Sequence, residues 1–230
     1  MIDWVSSLPV PGIVVRKSPP KALTPEWFKA RRGRITASTR AQIIEEASPR
    51  AWLSLNDELR YEISPEWQHK PFKNMAMQWG NDHEAEALDA ISRTFGCRLI
   101  EPGLVLHPEY DYAGATPDGY IVDDVTIQVK CPFLSKNHMK TILDSQMSAT
   151  YYAQVQWEAW ISGKKKIIYA SYDPRVPADM RLCMIDVPLD EDMHKTFEIN
   201  LARFKTMFEL QKFSTPGKLV VHSGIPDVFH

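Results

Sequence analysis

The sequence predicts an α+β domain in which a central mixed β-sheet is flanked by helices. Three observations predict it. Segments with helical periodicity and capping signals fill residues 24 to 95. Short segments alternating apolar and polar residues follow, from about 98 to 131. After that, helical and extended patterns alternate to residue 212 rather than segregating into blocks. The 230 residues suit one domain with a sizeable core. Residues 1–23 read as an irregular Pro-rich arm, about 24–212 as the core and 213–230 as a tail.

Thr24-Pro25-Glu26 is a helix start: a hydroxyl cap, proline at the first helical position, then an acid. This helix is expected to run to Arg32 and stop at Gly33. Thr36 or Ser38 caps a second helix through Glu46, and residues 50–63 form a third. Residues 64–72 read as loop, because Pro65 and Pro71 interrupt them. The clearest helix covers 73–95, with Glu84, Leu88, Ile91 and Phe95 on one stripe. A carboxylate on such a stripe is costly unless a positive group meets it. Strands are expected over 98–106, 111–116, 119–123 and 125–131, with tight turns at Pro117-Asp118-Gly119 and Asp123-Asp124. In 125–131, period 2 puts Val125, Ile127, Val129 and Cys131 on one face and Thr126, Gln128 and Lys130 on the other. The apolar face suits the core, which leaves the polar face to a cleft or to solvent. A helix at 148–162, strands at 166–172 and 180–188, and a helix at 190–212 complete the domain.

Hydrophobic residues make up 44% of the chain and charged residues 24%, a globular composition rather than a disordered one. No apolar run approaches the ~20 residues that span a bilayer, and the first residues lack the basic opening of a secretory signal. A cytosolic protein that does not engage membranes is expected. The three cysteines, Cys97, Cys131 and Cys183, are widely spaced and form no C-x-x-C pair, which argues against a zinc ribbon or disulfide frame. A net charge of −2 does not announce a nucleic-acid binder. Local charge can still do so. Lys29, Arg31, Arg32, Arg34 and Arg40 cluster near the start, and Lys164, Lys165 and Lys166 form a second cluster, although such runs are more often solvated faces.

The middle of the chain carries the chemistry. Asp118 sits at a turn, Gln128 and Lys130 share a strand face, and Glu84 projects from the preceding helix. Two carboxylates, an amide oxygen and an ammonium suit a magnesium site, since Mg²⁺ takes hard oxygen ligands and keeps several waters. A lysine beside it can position or deprotonate water and stabilise charge on phosphorus. Each feature alone is more often structural: Pro-Asp-Gly is a common turn, and a strand lysine is commonly a surface residue.

Pro117-Asp118 followed by Gln128-Val129-Lys130 resembles the PD-(D/E)XK nuclease signature. GRITAS at 33–38, Trp79-Gly80 with Glu84, ATPDG at 115–119, VKCPF at 129–133, YYAQVQW at 151–157 and SYDPR at 171–175 resemble, in order, blocks of the phage lambda exonuclease or YqaJ-type viral recombinase family. The resemblance implies a restriction-endonuclease-like fold. It also implies a Mg²⁺-dependent exonuclease that degrades one strand of linear duplex DNA from its 5′ end and leaves a 3′ single strand for recombination. Two Mg²⁺ ions, with Mn²⁺ as a substitute, would be held by Asp118, residue 128, the Val129 carbonyl and Glu84, with Lys130 as the catalytic lysine. Arg31 and Ser38 match positions that hold a 5′-terminal phosphate, and Tyr151 and Gln154 match the helix beside the active site. A homotrimer and a single-strand annealing protein as partner are further implications. Two rivals stand beside this: a structure-specific or restriction-type endonuclease, and a non-catalytic protein that binds DNA ends.

The chain departs from the family pattern at Gln128, where Glu or Asp is expected. Gln keeps the shape but loses the charge and one ligand oxygen. Three readings follow: a working natural variant, an inactive DNA-binding relative, or a near-isosteric substitution that traps substrate. The near-isosteric character of the change favours the third.

Overall fold

Thr24 opens the first helix as its sequence predicts. In the computed structural model of the chain, which describes residues 20, 22–67, 74–121 and 124–212, the Thr24 hydroxyl accepts from the Trp27 N–H at 3.2 Å at the start of α1 (Pro25–Arg31). Gly33 follows with a φ of +65°, and a Cβ there would lie 2.3 Å from Ile63 Cγ2. Both the backbone angle and the space therefore require glycine. Next come β1 (Ile35–Thr36), α2 (Thr39–Glu46) beginning after Ser38, and α3 (Pro49–Ile63). The sequence pattern did not reveal β1, since two residues carry no periodicity. The expected arm lies almost wholly outside the described residues, as do the tail and part of the loop at 64–72.

Asn74 caps α4 (Met75–Phe95) by accepting from the Met77 N–H at 2.8 Å, and left-handed Gly96 closes it. Ala87, Leu88 and Ile91 pack on the sheet. The expected stripe is shorter than its pattern suggested, because Phe95, the last helical residue, is 44% exposed. The strand expected over 98–106 is likewise cut down. Ile100 forms an isolated bridge to Tyr120, and regular pairing begins only at β2 (Val105–Leu106). Between them Pro102 lacks a donor and Gly103 takes a φ of +66°, which interrupts a ladder.

The remaining strands are β3 (Ala113–Ala115), β4 (Gly119–Ile121), β5 (Val125–Lys130), β6 (Lys166–Tyr172) and β7 (Leu182–Val187). They form two sheets, one ordered β1-β3-β2 and one ordered β4-β5-β6-β7. The second is the mixed sheet, with β5 and β6 parallel and its other pairs antiparallel. Pro117-Asp118 is thus not a hairpin turn, because it carries the chain from one sheet to the other. The parallel step from β5 to β6 needs a crossover, supplied by α5 (Ser135–Asp144), a 3₁₀ turn at Ala149–Tyr151 and α6 (Tyr152–Ser162). The sequence pattern gave no hint of α5, whose buried residues are only His138 and Thr141.

Helix α4 covers one face of the mixed sheet with Ala87 and Ile91 against Val125, Ile127 and Val129. Helix α6 covers the other, with Val155 and Ala159 against Ile167, Tyr169 and Val187. The far side of α6 meets a third layer through Trp157 and Ile161, joined by α2, α3 and α7 (Glu191–Lys212). Buried nearly all round, α6 is a core helix. Among the described residues no helix is long and apolar enough to cross a membrane.

Candidate active site

The register of β4 on β5, with Gly119 opposite Ile127, brings Asp118 alongside Gln128. The backbone fixes this placement, since the Asp118 N–H donates to the Ile127 carbonyl at 3.2 Å. Its carboxylate is also tied to β5. Oδ2 accepts from the Val129 N–H at 2.6 Å and from the Gln128 side-chain amide. The same Gln128 amide nitrogen donates to the Val129 carbonyl at 3.1 Å. The Gln128 NH₂ group therefore binds two oxygens proposed to hold a metal.

Of the two settings the alternation left open for the polar face of β5, a cleft or solvent, open solvent does not apply to Thr126 and Gln128. Thr126 is 1% exposed and Gln128 3%, because α6 lies over them. A buried polar seam joins the two elements. Gln154 Nε2 donates to Gln128 Oε1 at 2.7 Å and to Glu158 Oε1 at 2.9 Å. Lys130 Nζ donates to Gln154 Oε1 at 3.3 Å and sits 4.8 Å from the Tyr151 ring centroid. Tyr151 and Gln154 thus flank Lys130. Glu84 arrives from α4 and joins through charge. Burial raises its carboxyl above the ordinary range, while Lys130 pulls it down.

Glu158 is the residue that sequence reasoning missed. It is 1% exposed, and burial followed by the charge of Asp118 pushes its carboxyl up to about 8. Asp118 is pushed up to about 7, first by burial and then by Glu84. A signal was present: Glu158 is the one acid in the otherwise apolar, amide and hydroxyl-bearing segment YYAQVQWEAWIS, four residues after Gln154.

Arg31 and Ser38 belong to a separate cavity of about 270 Å³, lined also by Phe28, Arg32, Thr36 and Arg40. Arg31 donates to Thr36 Oγ1 at 3.0 Å and stacks 4.1 Å over Trp27. Burial, then Arg40, lowers its pKa to about 10, which leaves it charged at neutral pH. Among the described residues it has no ion-pair partner, whereas Arg40 is held by Glu58 and by Glu62 at 2.5 Å. Ser38 has a φ of +75°, and its hydroxyl does not cap α2. Such strain in a non-glycine residue is often kept at ligand sites. The cavity connects to the metal-type site through Trp27, whose Nε1 donates to Thr116 at 3.0 Å, two residues before Asp118.

Three further sequence blocks meet behind Lys130. Arg175 is paired with buried Asp173 at 2.8 Å, donates to the Pro132 and Phe133 carbonyls at 3.0 Å, and lies 4.0 Å over Trp79. This clasp fixes the chain leaving β5. Lys164 and Lys165 lie 4.0 and 3.9 Å from Asp124, so they are at least partly engaged within the protein.

The oxygens present fit a hard divalent cation: Asp118, Glu84 and Glu158 carboxylates, the Val129 carbonyl and the Gln128 amide oxygen. Among the described residues no three His, Cys, Asp or Glu side chains form a ready-made cage. Mg²⁺ binds through one or two carboxylates with water and substrate phosphate and needs no such cage. A structural zinc needs a closed set of ligands.

A mixed sheet between helices, with Asp118 entering β4 beside Gln128 and Lys130 at the end of β5, is an α+β fold of the nuclease type. Residues 26–165 match the YqaJ-like viral recombinase domain, and the chain belongs to that family. Two crystal structures of the alkaline exonuclease LHK-Exo, one of them with dAMP and the other recorded from Laribacter hongkongensis, are similar. They superpose with TM-scores of 0.70 and 0.66 at 28% and 26% identity, each over 82% of this chain and 96% of that one. A phage-related exonuclease from Haemophilus somnus 129PT shares the fold, with a TM-score of 0.58 at 14% identity over 82% of this chain and 95% of its own. No curated protein matches the chain. Family and fold together support a DNA exonuclease role.

Proposed function

We propose that this chain is a Mg²⁺-dependent exonuclease that digests one strand of linear duplex DNA from a 5′-phosphorylated end and leaves a 3′ single strand. The observation that carries this is the convergence of Asp118, Gln128, Val129 and Lys130 on one strand end, next to a cavity whose Arg31 has no ion-pair partner among the described residues. Asp118, Glu84, the Val129 carbonyl and residue 128 would hold the metal. Bound Mg²⁺ would polarise the scissile phosphate and lower the pKa of water. Lys130, oriented by Gln154 and Tyr151, would position that water and balance charge on phosphorus. To present its oxygen beside Asp118, the Gln128 amide has to turn over from the orientation it holds here. Arg31 would clamp the terminal phosphate through its fork of donors, with Ser38 and the start of α2 adding hydroxyl and N–H groups. LHK-Exo crystallised with dAMP supports this assignment, since a deoxynucleoside monophosphate is what stepwise digestion releases. A homotrimer, a single-strand annealing partner and a cytoplasmic setting in a bacterial host belong to the same proposal.

The test is digestion of end-labelled linear duplex beside covalently closed circular DNA, with Mg²⁺ and with chelator. Stepwise release of mononucleotides from linear DNA only, with 5′-phosphate ends preferred, is expected. Cutting of closed circles would point to the endonuclease reading. End binding without release, even in a Gln128→Glu variant, would point to a non-catalytic end binder.

A further inference from the structure

The carboxylate missing from position 128 has a counterpart one hydrogen-bonded step away. Gln154 Nε2 donates to both Gln128 Oε1 and Glu158 Oε1, at 2.7 and 2.9 Å. Two oxygens that share one N–H₂ group are close neighbours. The second Glu158 oxygen, Oε2, is buried and has no hydrogen-bond partner among the described residues. Burying a carboxylate with one oxygen unsatisfied is costly unless a cation offsets it. The cation that Glu158 senses within the protein is Lys130, and that nitrogen bonds Gln154 instead. Asp118 lies close enough for its charge to act on Glu158. On β5, Thr126 Oγ1 is another buried oxygen without a hydrogen-bond partner among the described residues. A neutral Glu158 that only fills space beside it is the reading to be excluded.

Resting on the metal-site reading above, we propose that Glu158 is the second acid of this site. It supplies from α6 the negative charge that β5 lacks at Gln128. The strand amide and the helix acid then act as an exchanged pair. Gln128 keeps the shape of the strand ligand, and Glu158 keeps the charge of the site. This favours the first of the three readings of Gln128, a working natural variant.

The experiment is a double-mutant cycle on Mn²⁺ affinity. Calorimetric titration of the full-length, metal-stripped chain is run for the parent, Glu158→Gln, Gln128→Glu, the double variant and Asp118→Asn. Metal-free melting curves establish that each variant is folded. Glu158→Gln is expected to weaken Mn²⁺ about tenfold or more, and the double variant to return to the parent affinity. Gln128→Glu alone is expected to gain little, because Glu158 already supplies the charge. If Glu158→Gln does not fold, the parent and Gln128→Glu still decide the matter, since a gain of tenfold or more on adding the strand acid would mean that the site lacked a carboxylate and the proposal falls. It also falls if Gln128→Glu shifts affinity equally in both backgrounds, or if the double variant fails to recover. Glu158→Gln binding like the parent while Asp118→Asn does not would make Glu158 structural and leave the metal site standing. Asp118→Asn binding like the parent would overturn the metal site itself, and the proposal with it.

Discussion

Two groups of acid enclosed by the fold meet opposite electrostatic fates. Asp173 is fully buried, and burial alone would raise its carboxyl. Hydrogen bonds from Arg175 and Ser135 outweigh that and hold it well below the usual range. Asp118 and Glu158 are enclosed by the same fold, yet they are pushed up to about 7 and about 8. The difference is the partner. Asp173 has a guanidinium on both oxygens at 2.8 Å. Asp118 and Glu158 have backbone and amide donors, one shared lysine nearby and each other. An acid placed against its own cation is a structural clasp. Acids placed against one another fit the proposal that they meet a cation from outside.

Removing one acid from each group is the strongest way to break that contrast. Asp118→Asn is expected to lower nuclease activity about 10³-fold or more, the scale of losing a central electrostatic group, while the metal-free chain melts no lower than the parent. Asp173→Asn is expected to do the reverse. It should lose about 2–3 kcal/mol of stability, the scale of hydrogen bonds to a charged group, and retain turnover per folded molecule. Urea unfolding read beside initial digestion rates checks both. A large stability loss in Asp118→Asn would place it with the clasps.

The pH dependence of stability separates the two groups with a smaller effect. For Asp118 and Glu158 the folded pKa is raised, so between about pH 4 and the values near 7 and 8 the folded chain holds more protons than the unfolded one. Stability from these groups is greatest at low pH and falls as pH rises through that window. Asp173 is the opposite case. Its depressed pKa gives stability present above about pH 4 and lost as pH falls. The metal-free chain is therefore expected to melt several degrees lower at pH 8 than at pH 5.5. Asp118→Asn or Glu158→Gln should flatten that slope, and Asp173→Asn should leave it unchanged. A parent melting point that climbs over this range would contradict the raised carboxyls.

Much of this contrast could be read from the sequence, and what could not has physical causes. Thr24-Pro25 acts locally, so the helix start it marks falls where expected. The alternation in 125–131 correctly separates the apolar face that meets α4 from the polar face. It cannot say what covers the polar face. A period of 2 records which residues share a side, and α6 comes from 20 to 30 residues further along the chain. Pro117-Asp118-Gly119 has the composition of a hairpin turn but carries the chain between two sheets, because pairing partners are chosen by tertiary packing rather than by turn residues. Helix α5 escaped detection because its packed residues include His138, which bonds Ser171 and the Met180 carbonyl at 2.8 Å, and polar burial leaves no apolar stripe. Asp118, Gln128 and Lys130 stood out by spacing and family pattern. Glu158 stood out less, since its i,i+4 pairing with Gln154 is local to α6, whereas its closeness to Gln128 and Asp118 arises only when α6 packs over β5.

Arg31 is the mirror image of the unpaired acids and gives the smallest test. It is a half-buried cation with no ion pair among the described residues, whereas its neighbour Arg40 is saturated by Glu58 and Glu62. By the logic that separates Asp118 from Asp173, Arg40 is a clasp, and the proposed function gives Arg31 an anion. Arg31→Ala is expected to reduce the preference for 5′-phosphate over 5′-hydroxyl ends by about tenfold, roughly the worth of one charge-assisted hydrogen bond. The effect is limited because Ser38 and the N–H groups opening α2 remain. Rates on 5′-hydroxyl ends should change little, since no phosphate is there to lose its partner. Initial rates on matched duplexes differing only in that phosphate provide the measurement. Equal losses on both ends would mean that Arg31 supports α1 through Trp27 and Thr36 rather than reading the end of the DNA.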